Sequence, residues 1–322
     1  MLAGIAVGAH GIAQAASDPA PPAPPAVPLL PARVPLRDNF SRLELVTTGV
    51  VAAAGIVMLG FAERLVGTPV PSLGPPGAGS FDRVWSDRLH LADGSGGRFL
   101  GGVPDFAGLF VLPYAPAAIY AIDTIAISRD GAPWLFGDSN PDHRLVAYAE
   151  ALGWTSLVTG VTKVLVGRER PYVVLDHPEL AGPARERNLS FFSGHSAMMF
   201  AAASFVARDA SARLTHGPLA QGSAHGGAAR WWLGSFLPYV VSYGVASLVA
   251  VSRVIDQQHW PSDVVVGALV GTTIGHLTYL AHFDEDGQPR QTSSGATPAP
   301  PAAYDVRLIP TVGGMALVGL FP

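Results

Sequence analysis

The sequence contains no cysteine and few charged residues. Only 14% of its 322 residues are charged, 49% are hydrophobic, and the mean hydropathy is +0.32. Since an ordinary soluble domain carries charge on about a quarter of its residues, this chain is more apolar than such a domain. The absence of cysteine excludes disulfide bonds and thiolate-ligated metal sites, and it is compatible with any compartment.

A basic balance of charge is also missing. The chain has 20 Lys and Arg residues against 24 Asp and Glu residues, and its formal net charge is −4. This balance leaves no electrostatic footprint for nucleic acid, and we expect no nucleic-acid partner. A chain of this length can form one large domain or two small ones, and it contains no internal repeat.

The ends of the chain differ from its middle. Residues 1–16 resemble the end of a secretory signal with an Ala-x-Ala site at 13–15, although no basic region precedes their short apolar stretch. A disordered leader, or a start codon assigned too far downstream, would explain them as well. Residues 17–42 form a proline-rich linker, which favours an extended chain without a packed core.

We assign residues 43–284 to a helical domain, 285–303 to a second, flexible linker and 304–322 to a small C-terminal β-hairpin. The hairpin prediction depends on the β-prone runs on either side of Gly313 and Gly314.

Six apolar stretches lie within the helical domain, and their length and their Ala, Leu, Val and Gly content predict helices rather than strands. They cover roughly 45–61, 106–122, 146–166, 190–207, 231–252 and 264–282. Only the last two comfortably reach the ~20 apolar residues of a membrane span, but small residues in all six suit close packing in lipid. We favour an all-α, multi-pass membrane bundle, with a compact soluble or membrane-associated all-α domain as the alternative.

Two basic residues close the third stretch. Lys163 and Arg170 are seven residues apart, close to two helical turns, so their side chains can face one way before Pro171 ends or bends the helix. Two cations that converge on one point repel each other unless an anion lies between them. Taken alone, the pair also fits the ordinary snorkelling of Lys and Arg toward a membrane surface.

A second cluster, Ser193-Gly194-His195, opens the fourth stretch. If the helix begins near Ser193, its first backbone N–H groups are unpaired and form a ready anion site. Gly194 lets an anion approach the backbone closely, and the Ser193 hydroxyl can donate to it. His195 would then lie beside the anion. An N-cap serine next to a buried histidine is the structural alternative.

The third cluster joins the fifth and sixth stretches. Arg253 ends the fifth stretch, and His259 and Asp263 are four residues apart. On one helical turn the carboxylate can hold the imidazole through a hydrogen bond, which fixes the tautomer and raises the basicity of the other nitrogen. Enzymes prepare a nucleophile or a base in this way. A surface His–Asp pair is the structural alternative.

The order of the helices brings the clusters together. If neighbouring helices run antiparallel, the end of the third stretch, the start of the fourth and the junction of the fifth and sixth share one end of the bundle. Three cations, a helix N-terminus and two histidines around one cavity describe a site for a tetrahedral oxyanion.

These residues also carry a resemblance to a known family. Lys-x6-Arg-Pro from Lys163, Ser-Gly-His from Ser193 and Ser-Arg-x5-His-x3-Asp from Ser252 resemble the three signature motifs of the type 2 phosphatidic acid phosphatase family. That family shares its site with bacterial class A acid phosphatases and vanadium haloperoxidases. The match covers residues 163–263 and implies a six-helix bundle of that type. One departure is Phe192, where the family usually has proline; it affects the geometry of the loop rather than its ligands.

The resemblance implies a set of phosphate ligands. Lys163, Arg170 and Arg253 would bind the phosphate and neutralise charge in the transition state. Backbone N–H groups of Ser193 and Gly194 would complete the oxyanion cradle.

It also implies the catalytic roles. His259 would attack phosphorus in line and become a phosphohistidine, with Asp263 orienting it. His195 would protonate the leaving alkoxide and then activate water. No metal and no other cofactor is expected, because three fixed cations perform a metal's electrostatic task.

The expected substrate is a phosphorylated membrane lipid, such as phosphatidic acid, a polyprenyl diphosphate or a phosphorylated glycolipid. A vanadium-dependent haloperoxidase on the same site and a non-catalytic lipid-binding membrane protein are the alternatives. We expect a multi-pass protein of a bacterial cell envelope with its site facing the periplasm, or else a periplasmic or membrane-associated protein. The Lys and Arg residues near the ends of the stretches are balanced, so the positive-inside rule gives no orientation.

The remaining charged residues near the motifs receive structural interpretations. We expect Arg168 and Glu169 to form a local surface pair. The other histidines are expected to be solvated or structural: His90, His143, His177, His216, His225, His276 and His282.

Overall fold

The computed structural model describes residues 34–66, 73–90, 107–130, 140–177, 180, 186–216, 227–291, 305–311 and 314–320. The signal-like leader and most of both linkers lie outside the described residues, as does His225.

Helices make up most of the described chain, and the all-α class is confirmed. The long helices are α1 (Arg42–Val66), α2 (Phe81–Leu89), α3 (Ala115–Asp130), α4 (Pro141–Val166), α5 (Gly194–His216), α6 (Leu237–Ile255) and α7 (Pro261–His282). Shorter helical pieces are Leu36–Asn39, Ala107–Val111, Pro171–Val174, Gly227–Arg230 and Trp231–Phe236, of which the second and the last are π-helical. Each of the six predicted stretches falls on a helix. Among the long helices of the described residues, α2 alone is additional, because its sequence is too polar to form an apolar stretch.

Two strands follow the helices. β1 (Asp305–Thr311) and β2 (Gly314–Leu320) pair antiparallel, with Asp305 opposite Leu320 and Thr311 opposite Gly314. They lie where the sequence predicts a hairpin.

The centre of the bundle is α5, which packs against α4, α6 and α7, while α1 packs along α4. Glycine on α7 explains how closely these helices approach. A Cβ atom on Gly271 would lie 2.0 Å from the carbonyl oxygen of Ala197, far inside contact distance. Gly267 and Gly275, one turn away on either side, face the backbone of α5 in the same way. The small residues therefore bring the two helices nearly into backbone contact.

A buried ion cluster fixes α4 and α5 at the end of the bundle away from Lys163. Arg144, in the first turn of α4, donates to a carboxylate oxygen of Asp209 on α5 at 2.6 Å and to the carbonyl of Gly287 at 2.7 Å. The hydroxyl of Tyr120 donates to the same carboxylate at 2.9 Å. Because the start of α4 is tied to the last third of α5, the end of α4 meets the start of α5.

The outer surface of the bundle is apolar. Leu43, Leu165, Leu248 and Leu269, one on each of α1, α4, α6 and α7, expose at least 64% of their surface. Two helical stretches, Gly227–Ile255 and α7, are long and apolar enough to cross a membrane by length and composition, a test that core helices of soluble proteins also pass. Only 28% of the most apolar window of each is buried, which favours association with a membrane.

Candidate active site

The three charged clusters meet at one end of the bundle, as the helix order predicts. Lys163 lies in the last turn of α4 and donates from Nζ to the carbonyl of Leu189 at 3.0 Å, shortly before α5 begins. The N–H of Ser193 donates to the carbonyl of Asp263 at 3.1 Å. The end of α4, the start of α5 and the first turn of α7 therefore form one connected structure.

Arg170 lies just beyond α4, where Gly167 adopts a left-handed conformation (φ 59°) that ends the helix and redirects the chain. Its guanidinium donates from Nη1 to Gln258 Oε1 at 2.5 Å and from Nε to the carbonyl of Glu186 at 3.0 Å. Its Nη2 lies 3.3 Å from the carboxylate of Glu186. The carboxylate of Glu186 is partly exposed.

Arg253 supplies the most deeply buried positive charge. It lies in the last turn of α6 and is fully buried. Its guanidinium donates twice to the hydroxyl of Ser252, at 3.0 and 3.1 Å, and to the carboxylate of Asp256 at 3.2 Å. These contacts fix the plane of the guanidinium before any anion binds.

The imidazole of His259 is buried and held in one tautomer. Its Nδ1 lies 2.7 Å from the carbonyl oxygen of Ser190. Because a carbonyl can only accept, Nδ1 carries the proton and Nε2 keeps its lone pair. Burial, followed by the charges of Lys163 and Arg170, holds the pKa of His259 well below its usual range. The ring is therefore a neutral imidazole whose Nε2 carries a lone pair.

The predicted hydrogen bond between His259 and Asp263 is absent, and that expectation is corrected. Nδ1 of His259 lies 3.9 Å from Asp263 Oδ2, beyond hydrogen-bond distance. The same oxygen accepts from the hydroxyl of Ser190 at 2.5 Å and from the N–H of Trp260 at 3.0 Å. Asp263 is thus linked to the imidazole through Ser190. The Ser190 hydroxyl donates to Asp263, and the Ser190 carbonyl accepts from the ring.

His195 lies at the start of α5 and is partly exposed, beside the π-helical turn 107–111. A Cβ atom on Gly108 would lie 3.5 Å from its Cδ2. Burial and the charges of Lys163 and Arg170 lower the pKa of His195 to about 3. Without an anion in the site, this ring is neutral as well.

The start of α5 departs from the prediction at one residue. The N–H of Ser193 is used by the carbonyl of Asp263, so it is not a donor to a bound anion. Its hydroxyl oxygen accepts from the N–H of Ser196 at 3.4 Å and from the Ser196 hydroxyl at 3.1 Å, as an N-cap does. Ser193 therefore caps α5 and does not offer its N–H to an anion. Its hydroxyl and the N–H of Gly194, the first residue of α5, stay the predicted donors.

Arg168 was expected on the surface with Glu169, and this interpretation is wrong. Arg168 is buried and donates to Asp82 Oδ2 at 2.7 Å, to the hydroxyl of Ser262 at 2.8 Å and to Asp263 Oδ1. Glu169 contributes its carbonyl, which accepts from the indole N–H of Trp260 at 2.8 Å. No local spacing reveals these contacts, because Asp82 lies 86 residues upstream on α2.

Phe192 stands where the resembling family usually has proline. It is buried, it follows a cis peptide bond with Phe191, and the two rings meet edge to face at 6.0 Å.

In the described part of the chain, no group of three or more His, Asp or Glu side chains is placed to hold a metal ion.

The bundle gathers three cations and two neutral imidazoles at one end, an arrangement of charge that suits a tetrahedral oxyanion. Residues 144–286 match the family model of the PAP2 superfamily, and this chain therefore contains a PAP2-superfamily domain.

Three curated proteins are similar to parts of this chain. A PA-phosphatase related-family protein of Dictyostelium discoideum is 31% identical over 44% of this chain and 49% of its own length. The probable lipid phosphate phosphatase 4 of Arabidopsis thaliana is 32% identical over 42% of this chain and 49% of its own length. The lipid A 1-phosphatase of Porphyromonas gingivalis is 32% identical over 28% of this chain and 16% of its own length. The chain spans about half the length, or less, of these relatives. No solved structure matches it significantly.

Proposed function

We propose that this protein is a metal-independent phosphatase that removes phosphate from a phosphorylated lipid through a phosphohistidine. The observation that carries the proposal is the state of His259. Its Nδ1 is committed to the carbonyl of Ser190 at 2.7 Å, so Nε2 is the nucleophilic atom, and its lowered pKa keeps that atom unprotonated.

The first step is an in-line attack on phosphorus. Nε2 of His259 forms the P–N bond while the bond to the lipid oxygen breaks, and the leaving alkoxide takes a proton from His195. In the second step His195 accepts a proton from water, the hydroxide attacks phosphorus, and the P–N bond breaks to release inorganic phosphate. Lys163, Arg170 and Arg253 balance the charge on the equatorial oxygens in both steps.

His195 needs a proton before it can act as the acid. In the protein without an anion its pKa is about 3, because burial and two cations oppose protonation. A bound phosphate dianion counters the charges of Lys163 and Arg170, which raises the pKa of His195 toward the working range. Binding of the substrate thus favours the protonated form of His195, which is neutral while the site is empty.

The lipid substrate and the membrane location have separate support. Two relatives are named for lipid phosphates. Arg253 ends α6 and Asp263 lies in the first turn of α7, which are the two helices with span-like apolar surfaces. A bilayer that surrounds these helices would place its headgroups level with the cations. We therefore assign the protein to a membrane, with α6 and α7 crossing it as part of a multi-pass bundle of the bacterial envelope whose site faces the periplasm.

The test is phosphate release by the purified, detergent-solubilised full chain in the presence of EDTA. The substrates are phosphatidic acid, a polyprenyl diphosphate, a phosphorylated glycolipid and a soluble aryl phosphate. We expect release by the wild type and its loss in His259→Ala. The matched control is His216→Ala, an exposed histidine paired with Asp286 at 3.1 Å, which should release phosphate normally.

Three results would contradict the proposal. Release that survives in His259→Ala would mean another nucleophile. Inhibition by EDTA would mean a metal-dependent reaction. Wild type that is folded yet inactive on the whole panel would exclude these substrates.

A further inference from the structure

Helix α2 lies outside residues 144–286 and outside the six apolar stretches, yet it packs against α6 and α7 at the site end of the bundle. Its N-terminus is capped by Ser80, whose hydroxyl accepts from the N–H of Arg83 at 3.3 Å. Asp82 and Ser86 are four residues apart, so they share one face of the helix. That face is buried, and both residues bond to the loop that carries His259 or to its neighbours.

Asp82 makes three hydrogen bonds with two residues. Its Oδ2 accepts from Arg168 Nη2 at 2.7 Å and from the Ser262 hydroxyl at 2.7 Å, and its Oδ1 accepts from the Ser262 N–H at 2.8 Å. Ser262 is the second residue of α7, so the carboxylate also satisfies an N–H in the first turn of that helix, where negative charge is favourable. Asp82 thereby fixes the start of α7.

Ser86 holds the turn before His259. Its hydroxyl donates to Gln257 Oε1 at 2.9 Å, and its carbonyl accepts from Gln257 Nε2 at 2.9 Å. Gln257 has a φ of +55°, a left-handed conformation that residues other than glycine adopt at a cost. The paired hydrogen bonds to α2 hold Gln257 in this conformation two residues before the imidazole.

We infer that α2 acts as a clamp, in the sense that its hydrogen bonds hold the loop 256–260 that carries His259. Asp82 is then a positioning residue for His259. The inference rests on the proposed function. The path is a series of hydrogen bonds, the first three of which involve a charged group: Asp82 accepts from Arg168, Arg168 donates to Asp263, Asp263 accepts from the Ser190 hydroxyl, and the Ser190 carbonyl accepts from the ring of His259. Two carboxylates share one buried guanidinium, so loss of either one disturbs the other.

The test compares Asp82→Asn with wild type in the full, detergent-solubilised chain. Asparagine keeps the shape, but it removes the charge and turns one acceptor into a donor that faces other donors. Three residues separate Asp82 from the imidazole, so we expect kcat to fall by about tenfold, the lower end of the effect of losing a direct outer partner of a site. KM and inhibition by vanadate should change less than about twofold, because Asp82 does not touch the anion. Asp87→Asn, on the exposed side of the same helix, is the control with normal kcat.

A conservative variant and a second contact separate positioning from general loss of stability. Asp82→Glu retains the charge and should recover part of kcat. Ser86→Ala loses the hydroxyl bond to Gln257 Oε1 and keeps the bond to the backbone carbonyl. It should lower kcat in the same direction, so the inference stays testable if Asp82→Asn does not fold. Normal kcat in folded Asp82→Asn, or in Ser86→Ala when Asp82→Asn fails to fold, would overturn it. A fall in kcat that Asp82→Glu does not relieve would also overturn it.

A readout that does not need turnover distinguishes this inference from the proposed function. The ring nitrogen NMR signals of His259, assigned with His259→Ala, report the bond from Nδ1 to Ser190. Altered signals in Asp82→Asn support the clamp even if wild type hydrolyses nothing, in which case only the proposed function fails. Unaltered signals in an active enzyme leave the proposed function intact and refute the clamp.

Discussion

The contact between α5 and α7 sets the distance between the two imidazoles, and Gly271→Ala tests it. The new Cβ would lie 2.0 Å from the carbonyl oxygen of Ala197, 2.8 Å from its carbonyl carbon and 3.0 Å from its Cα. All three atoms belong to the backbone, so no side chain can rotate away. Ordinary contact begins near 3.4 Å, and the helices must therefore separate by roughly 1.4 Å.

This separation costs stability and activity. Overpacking costs about 1–3 kcal/mol, against a gain of about 0.4–1 kcal/mol from replacing a helical glycine. The net loss of about 1–2 kcal/mol lowers Tm by roughly 2–8 °C. His195 lies at the start of α5 and His259 just before α7, so a shift of about 1 Å between these helices lowers kcat by up to roughly a hundredfold. Thermal unfolding and phosphate release in detergent measure the two effects.

Gly244→Ala is the matched control, because Gly244 also lies within a helix, α6, and a Cβ there would meet no atom within 4 Å. Its Tm should equal or exceed that of wild type, and its kcat should be normal. If Gly271→Ala unfolded at the same temperature as Gly244→Ala and kept its kcat, the helices would not be in the close contact described, and the reasoning would be refuted.

Two further changes probe the charges of the site. Glu186→Gln removes the carboxylate that lies 3.3 Å from Arg170 Nη2 and would compete with an anion. A partly exposed ion pair contributes about 0.2–1 kcal/mol, so inhibition by vanadate should strengthen by about 1.5-fold to fivefold. Weaker inhibition would contradict the proposed role of Arg170. His195 has a pKa lowered to about 3 from an ordinary 6.5, so between these values the unfolded chain binds a proton that the folded chain does not. The free energy of unfolding should fall with acid by up to about 1.4 kcal/mol per pH unit. His195→Asn should remove this share of the slope in urea titrations, and an unchanged slope would contradict the neutral state of this partly exposed ring.

The positions of the helices and the meeting of the clusters could be predicted from the sequence. Apolar length determines where the helices lie, and antiparallel neighbours bring Lys163, the start of α5 and the loop before α7 to one end. Helix order suffices for this result, because the ends of adjacent antiparallel helices meet whatever the details of packing.

The direct bond from His259 to Asp263 could not be predicted correctly from spacing. A separation of four residues brings side chains together only when both belong to one helix. Here α7 begins at Pro261, and His259 lies in the preceding turn, where Gln257 has a positive φ. The turn directs the imidazole to the carbonyl of Ser190 instead. A helix boundary two residues from the assumed position was enough to change the partner.

The two arginines after α4 show how burial and partners divide their roles. Arg168 and Arg170 are two residues apart, and their side chains carry the same charge. Arg168 is bonded to the carboxylates of Asp82 and Asp263, and replacing either with a substrate phosphate would leave a carboxylate buried without its cation, which costs several kcal/mol. Arg170 meets one carboxylate, Glu186, which is partly exposed and can return to water when an anion arrives. The sequence motif alone does not explain why we propose the second arginine and not the first as a phosphate ligand. The number and burial of the acids around each guanidinium do explain this difference. Arg168, with two carboxylates, holds the start of α7 in place.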